Sequence, residues 1–182
     1  VRVDAPFERL TVSEAFRRHA GFELAGLDRH ALYESALSVG CRVGESWSYN
    51  DLVNCVLVDC VEPHLGMTRP VFLCDYPPSM ASLALVRGEG THQVAERFEL
   101  YICGIELCNG YSELNDPVEL RRRFDEDNAE RRALGFQTVP DDEALLHALP
   151  ALGRLGGNAL GFDRLLMLCL GIDDIAKVTI DV

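Results

Sequence analysis

The chain has 182 residues, 48% of them hydrophobic, and a formal net charge of -12, which suits about one domain with a packed core. That acidity disfavours a long nucleic-acid track, which needs clustered Lys and Arg, and suits a cationic substrate. No run reaches the ~18 to 20 apolar residues of a membrane span, and residues 1–10 do not have the pattern of a signal peptide, so a soluble, cytoplasmic protein with no membrane partner is expected.

Residues 1–10 read as a strand or extended lead-in. Thr11-Val-Ser-Glu14 has the form of a capping box and opens a helix over 12–20 that Gly21 closes. A second helix runs from Asp28, its cap, to Val39, with Leu32, Ala36 and Leu37 on the inner side and Gly40 after it. A third starts near Ser48. Its Leu52, Val53, Val56, Leu57, Cys60 and Val61 recur at helical spacing until Pro63 and Gly66 break the pattern. These helices, a linker over about 11–66, read as scaffold. His19, His30 and His64 have no second ligand at a useful spacing and are assigned no role, while Trp47 reads as a packing anchor. The seven cysteines form no CxxC pairs and have no nearby histidines, so they read as buried, reduced thiols rather than zinc ligands or disulfides.

From Pro70 the period changes. Val71 to Cys74 is a short buried-strand signature, ended by Asp75-Tyr76-Pro77-Pro78, and Arg87 to Thr91 (RGEGT) reads as a flexible loop. Next comes RFELYICGIELCNGYSELND, Arg97 to Asp116, whose composition favours two strands around a turn at Cys103-Gly104. In that hairpin Tyr101 faces Glu106, so Glu99 and Glu106 become diagonal neighbours on one face. Two adjacent carboxylates repel unless a cation or proton separates them, and magnesium carrying nucleotide phosphates would do so. Asn109 and Glu113 join the same pocket if a bulge forms at Gly110. From the spacing alone, a solvated acidic edge strand explains these carboxylates equally well.

Asp116 caps a further helix, with Pro117 first and Glu119 at the capping-box position, that reaches Leu134 and stops at Gly135. Its RRRFDEDNAERR reads as a solvated, salt-bridged face. A short helix from Asp141 to Leu149 ends at Pro150. GGNALGFDRLLM, Gly156 to Met167, reads as a strand running into a helix, for which a Gly-rich turn with a capped helix is the plain account, and Val178 to Val182 reads as a final strand.

Taken together, the blocks RFELYICGIELCNGYSELND and GGNALGFDRLLML resemble the end of the catalytic domain of class II lysyl-tRNA synthetases, and above all their shortened paralogues, the elongation factor P lysine ligase family. The similarity extends from about Leu10 to Val182. It implies an α+β fold: a class II aminoacyl-tRNA synthetase-like antiparallel sheet flanked by helices, lacking the N-terminal part of the domain, with core sheet and motif 3 at about 70–182. It also implies ATP and Mg2+ as cofactors. Glu99 and Glu106 match the pair that holds metal and ATP, Gly161 and Arg164 match nucleotide-binding positions of motif 3, and Arg164 is the catalytic cation, with Asp163 orienting.

Asn109 and Glu113 match residues that contact a lysine-type substrate. Ser82 and Ala81 fall in the family's YP...SxLA segment, which lines the amino-acid pocket, although a turn and packing role suits them as well. Ala159 stands where lysyl-tRNA synthetases usually have glycine and, like the short linker, leans toward the paralogue. The implied activity is ATP-dependent activation of lysine or β-lysine as an adenylate, then transfer to a lysine of elongation factor P, by a homodimer. Two alternatives stay open: a lysyl-tRNA synthetase acting on tRNA, and a non-catalytic lysine- or nucleotide-binding fragment. The second arises because the family's motifs 1 and 2 precede Val1 and are absent here, so the chain alone is expected to be inactive.

Overall fold

The computed structural model describes residues 1–179. Six strands, β1 (Glu8–Thr11), β2 (Val71–Tyr76), β3 (Val86–Arg87), β4 (Val94–Ile102), β5 (Ile105–Ser112) and β6 (Gly156–Leu160), form one sheet. Its order is β1-β2-β4-β5-β6, with β3 paired to β4. Only β1 and β2 run parallel. Helices flank this mostly antiparallel sheet, giving the expected α+β architecture.

The linker helices start where their caps dictate. The Thr11–Glu14 capping box forms in both directions and opens α1 (Val12–Ala15), which widens into a π-helical turn at Phe16–Ala20. Gly21, at φ 81°, closes it by donating its N–H to the Phe16 carbonyl at 2.9 Å. In α2 (Arg29–Ser38), Asp28 Oδ1 accepts from the Ala31 N–H at 2.8 Å. Leu32 and Ala36 are fully buried, but Leu37, expected inward, is exposed, because one helical step turns it about 100° away from Ala36. Ser48 and Asp51 cap α3 (Tyr49–Val56), which continues as a π-helical turn at Leu57–Val61 and a 3-10 turn at Glu62–His64. Leu52, Val53, Val56 and Val61 meet Leu10, Val12, Phe16, Leu73 and Tyr101 in the main core. Trp47 is partly exposed and rests against Gly44, where a Cβ would press on the indole.

The hairpin has the expected two-residue turn. Cys103 and Gly104 both adopt positive φ, 55° and 72°, the combination that matches the twist of paired strands. Their N–H groups donate to Gly66 O and Leu65 O at 3.0 and 2.8 Å, fastening the linker to the hairpin. The bulge expected at Gly110 lies instead at Leu107, since Tyr101 pairs with Glu106 while Leu100 pairs with Cys108. Gly110 stays in register, and its missing side chain leaves room for the Phe98 ring, whose Cζ a Cβ would meet at 2.6 Å.

Several boundaries differ from expectation. Part of the loop expected at 87–91 is β3, held by Arg87 donating to both oxygens of Asp75 at 2.8 Å. Helix α4 (Pro117–Ala133) is capped by Asp116, but the reciprocal arm of the capping box is missing because Glu119 is engaged by Arg122 and Arg123. Helix α5 (Glu143–Leu152) runs through Pro150, whose missing N–H forfeits one hydrogen bond in the last turn. After α6 (Phe162–Leu170), Val178 and Thr179 lie in a turn and bend, and the rest of the strand expected at 178–182 falls outside the described residues. Of the cysteines, Cys41, Cys74 and Cys108 are buried, Cys55 and Cys60 partly so, and Cys103 and Cys169 exposed, which corrects the expectation of uniformly buried thiols.

Arg123 ties α4 to the segment beside the sheet. It donates from Nη1 to Ser82 O and Ala84 O at 2.6 and 2.9 Å, and from Nε to Glu119 at 2.9 Å. Arg123→Met keeps the aliphatic stem and strands two carbonyls, so urea unfolding should show a loss of about 1–3 kcal/mol. An unchanged midpoint would mean that water satisfies those carbonyls without cost.

Candidate active site on the open sheet face

The bulge at Leu107 determines which side chains meet. With one extra residue in β5, Glu106 falls opposite Tyr101, and Asn109 falls opposite Glu99 on one side and Ala159 on the other. Cross-strand partners share a face, so Glu99, Asn109 and Ala159 form a row across β4, β5 and β6. Arg97, Tyr111 and Gly157 form the next row. Glu113 follows, its backbone bridged to Ala84 and its N–H donating to Leu155 O at 2.9 Å.

Glu99 is the one buried charged residue among those described, 7% exposed. Arg97 Nη2 donates to its Oε1 at 2.7 Å, and the Tyr101 hydroxyl to its Oε2 at 2.7 Å. Arg97 also stacks over the Tyr76 ring, 4.5 Å from the centroid. The same Tyr101 hydroxyl lies 3.1 Å from Glu62 Oε1. Burial raises the pKa of Glu62, and the charges of Glu99 and Glu106 raise it further. Three carboxylates therefore sense one another here against two cations, Arg97 and Arg164.

Arg164, in the first turn of α6, donates from Nη1 to the Glu106 carbonyl at 2.8 Å and to Glu106 Oε2 at 3.2 Å. Gly161, the N-cap of α6, donates its N–H to Leu107 O at 2.8 Å, fixing the helix start against the bulge. Its open side faces the Arg164 stem, which a Cβ would meet at 3.3 Å. Glu99, Glu106 and Glu62 offer only oxygen and are net negative, the chemistry a hard divalent ion takes, although their carboxylate oxygens do not all lie within 4.8 Å of one another. The Tyr76 hydroxyl and Arg97 Nε lie buried beside it without a partner among the described residues.

Glu113 has the opposite surroundings. Its carboxylate lies over Gly157, where a Cβ would collide with Oε1. Burial alone raises its pKa, and no hydrogen bond or ion pair reaches it among the described residues. Together with Leu83, Leu114 and Leu155 it lines an apolar cavity of about 180 Å3. A half-buried carboxylate without a counter-ion is suited to receive a cation from a ligand. Ala159 is exposed on this face. Ser82, at φ 50°, is exposed too; its carbonyl serves Arg123, and Ala81 behind it is buried.

The structure thus brings Glu99, Glu106, Asn109, Glu113, Ala159, Gly161 and Arg164 to one region of the sheet, with Ser82 at its margin near the Ala84–Glu113 bridge. Sequence reasoning missed Glu62, Arg97, Tyr101 and Tyr76. Arg97, Glu99 and Tyr101 are two apart on a strand and so share a face, a signal that was available. Glu62 follows an irregular helix and has no local signal.

Comparison with known proteins supports the same class. Residues 1–180 match the class II tRNA synthetases of the D, K and N group, and the chain belongs to that family. It is also similar to proteins named elongation factor P--(R)-beta-lysine ligase. The one from Proteus mirabilis is 41% identical over 174 residues, covering 94% of this chain and 53% of that protein. Those from Salmonella dublin and Salmonella agona are each 42% identical over 176 residues, covering 95% of this chain and 54% of theirs. The chain spans about half the length of these curated relatives.

The unpaired Glu113 has a testable cost. Its pKa is higher folded than unfolded, so the folded chain favours the neutral carboxyl, and that advantage is lost as pH rises through the folded pKa. Glu113→Gln should therefore raise the melting temperature of the ligand-free protein at pH 7 and change it little near pH 3, where both side chains are neutral. Equal melting curves at pH 7 would mean that the carboxylate is already compensated.

Proposed function

We propose that the protein carrying this chain activates lysine or β-lysine with ATP and passes the aminoacyl group from the adenylate to a lysine of elongation factor P. The observation that carries this reading is Glu113, a partly desolvated carboxylate without a counter-charge, on the same face as Asn109 and Ala159. It suits the ammonium of a lysine-type side chain, with the leucine-lined cavity beside it for the methylenes. Family membership supports the use of ATP, and the names of the relatives support elongation factor P as acceptor. No helix among the described residues is long and apolar enough to cross a membrane, in keeping with a cytoplasmic enzyme.

In this reading, Glu99 and Glu106 would hold Mg2+, which neutralises phosphate charge during adenylate formation. Arg164, half-exposed and held against Glu106, turns its remaining N–H groups toward a phosphate. Gly161 keeps the start of α6 open for the nucleotide, Asn109 and Glu113 grip the amino acid, and Ser82 borders the pocket. Arg97 and Tyr101 hold the Glu99 carboxylate in one orientation. Chemistry of this kind needs positioning and charge neutralisation rather than a covalent protein nucleophile. A homodimer of the whole protein follows from the same reading.

The test is ATP–pyrophosphate exchange by the whole protein with lysine and β-lysine, followed by acyl transfer to purified elongation factor P and, in parallel, to lysine tRNA. Activation with transfer to the protein acceptor alone is expected. Transfer to tRNA would replace this reading with a lysyl-tRNA synthetase, and binding without activation would replace it with a sensor. Losing the Glu113 charge forfeits a desolvated ion pair worth about 2 kcal/mol or more, so Glu113→Gln should lower kcat/KM for lysine-type substrates at least about 30-fold. Ala159 adds one methyl to the pocket, so Ala159→Gly should shift the preference between β-lysine and α-lysine by about 1–3 kcal/mol, read as the ratio of their kcat/KM values.

A further inference from the structure

Three of the seven cysteines, well separated in sequence, converge where α2 meets α3. Cys41 follows α2, Cys55 lies in α3, and Cys60 lies in the π-helical turn after it. Cys41 Sγ and Cys60 Sγ are 3.7 Å apart. Cys55 Sγ is 3.5 Å from Asp59 Oδ2, and the ligand atoms of Cys41, Cys55 and Asp59 all lie within 4.8 Å of one another.

The π-helical winding is what assembles the set. In a regular α-helix, residues five apart point about 140° away from each other, so Cys60 would turn away from Cys55. A wider π turn brings i and i+5 toward the same side, so Cys55, Asp59 and Cys60 can all face Cys41.

We propose that Cys41, Cys55 and Asp59 hold a zinc ion that clamps the end of α2 to α3, separate from the carboxylates of the sheet face, with Cys60, 3.7 Å from Cys41 Sγ but outside the 4.8 Å group, turning in as the fourth ligand. Zinc binds cysteine sulfur at about 2.3 Å and carboxylate oxygen at about 2.1 Å in a tetrahedron, whose edges are then about 3.8 Å between sulfurs and about 3.6 Å between sulfur and oxygen. The Cys41–Cys60 and Cys55–Asp59 separations, 3.7 Å and 3.5 Å, are close to two of those edges. Three soft sulfurs and one carboxylate favour zinc over magnesium or calcium. Cys41 is buried, while Cys55 and Asp59 line an open surface cavity of about 440 Å3 that gives an ion access. Each thiol releases its proton to solvent on binding, and no redox change is involved.

The experiment is metal analysis of the protein purified under reducing conditions from zinc-supplied culture, with cobalt substitution in parallel. One zinc per chain is expected, released when a mercurial blocks the thiols. The cobalt form should show a thiolate-to-metal charge-transfer band and the intense visible bands of a tetrahedral site. Cys55→Ser and Asp59→Asn should each weaken binding by more than the roughly 10- to 100-fold of an outer-shell change. Cys103→Ser with Cys169→Ser, which alters the two exposed cysteines, should leave zinc content unchanged. The proposal is overturned if the reduced protein holds no zinc and gives only the weak bands of octahedral cobalt. It is also overturned if zinc survives Cys55→Ser but leaves with the exposed cysteines, or if alkylation trapping finds Cys41 and Cys60 already joined as a disulfide. Should a variant fail to fold, the cobalt spectrum of the unaltered protein decides alone.

Discussion

The open sheet face is organised by one costly act, the removal of the Glu99 carboxylate from water. An isolated buried carboxylate would neutralise or unfold its surroundings. Here one oxygen takes a guanidinium N–H and the other a phenolic O–H. Losing either partner would leave an uncompensated charge, typically costing about 3–5 kcal/mol for a broken buried ion pair. Arg97 is in turn held by the Tyr76 ring and the Met80 carbonyl, and Tyr101 by full burial in the core. The carboxylate is thus fixed by β2, β4 and the segment after β2, in the same cross-strand row as Asn109 and Ala159.

From this follows the division of the face. On the β1-β2 side, Leu73 and Val71 stand beside Glu99 and Tyr101 and are covered by the first linker helix through Val12 and Phe16. On the β5-β6 side no helix among the described residues covers the row, and Asn109 and Glu113 are partly exposed and Ala159 exposed. The boundary runs along the buried charge. A site at such a boundary has low-dielectric walls behind it and solvent access in front, the setting in which ion pairs with a ligand count for most.

Much of the fold was legible in the chain because its signals are local. Thr11–Glu14 and Ser48–Asp51 announce helix starts, Gly21 and Gly135 announce ends, and Cys103-Gly104 fixes the hairpin register from which the Glu99–Glu106 diagonal follows. What escaped depends on longer contacts or on irregular winding. Glycine tolerates a bulge and so Gly110 is the expected place for one, yet Phe98 needs that glycine in register and the extra residue falls at Leu107. Periodicity does not resolve one step at the edge of an apolar stripe, so it cannot separate the exposed Leu37 from the buried Ala36. Glu62 and the thiol cluster had no sequence signal, since a helical period of 3.6 is the wrong ruler for a π turn.

That same π turn links the two halves of the molecule. Leu57–Val61 turns Cys60 outward toward Cys41 and delivers Glu62, the next residue, inward to the Tyr101 hydroxyl beside Glu99. Unwinding it to a regular α-helix would rotate both at once, breaking the thiol cluster on one side and withdrawing a carboxylate from the site on the other. A zinc ion on the thiols would hold this winding in place, since an ion that binds only the assembled geometry stabilises it by mass action. The linker is then more than filler between strands. It sets how much negative charge the sheet face presents, through a single side chain held at 3.1 Å from Tyr101.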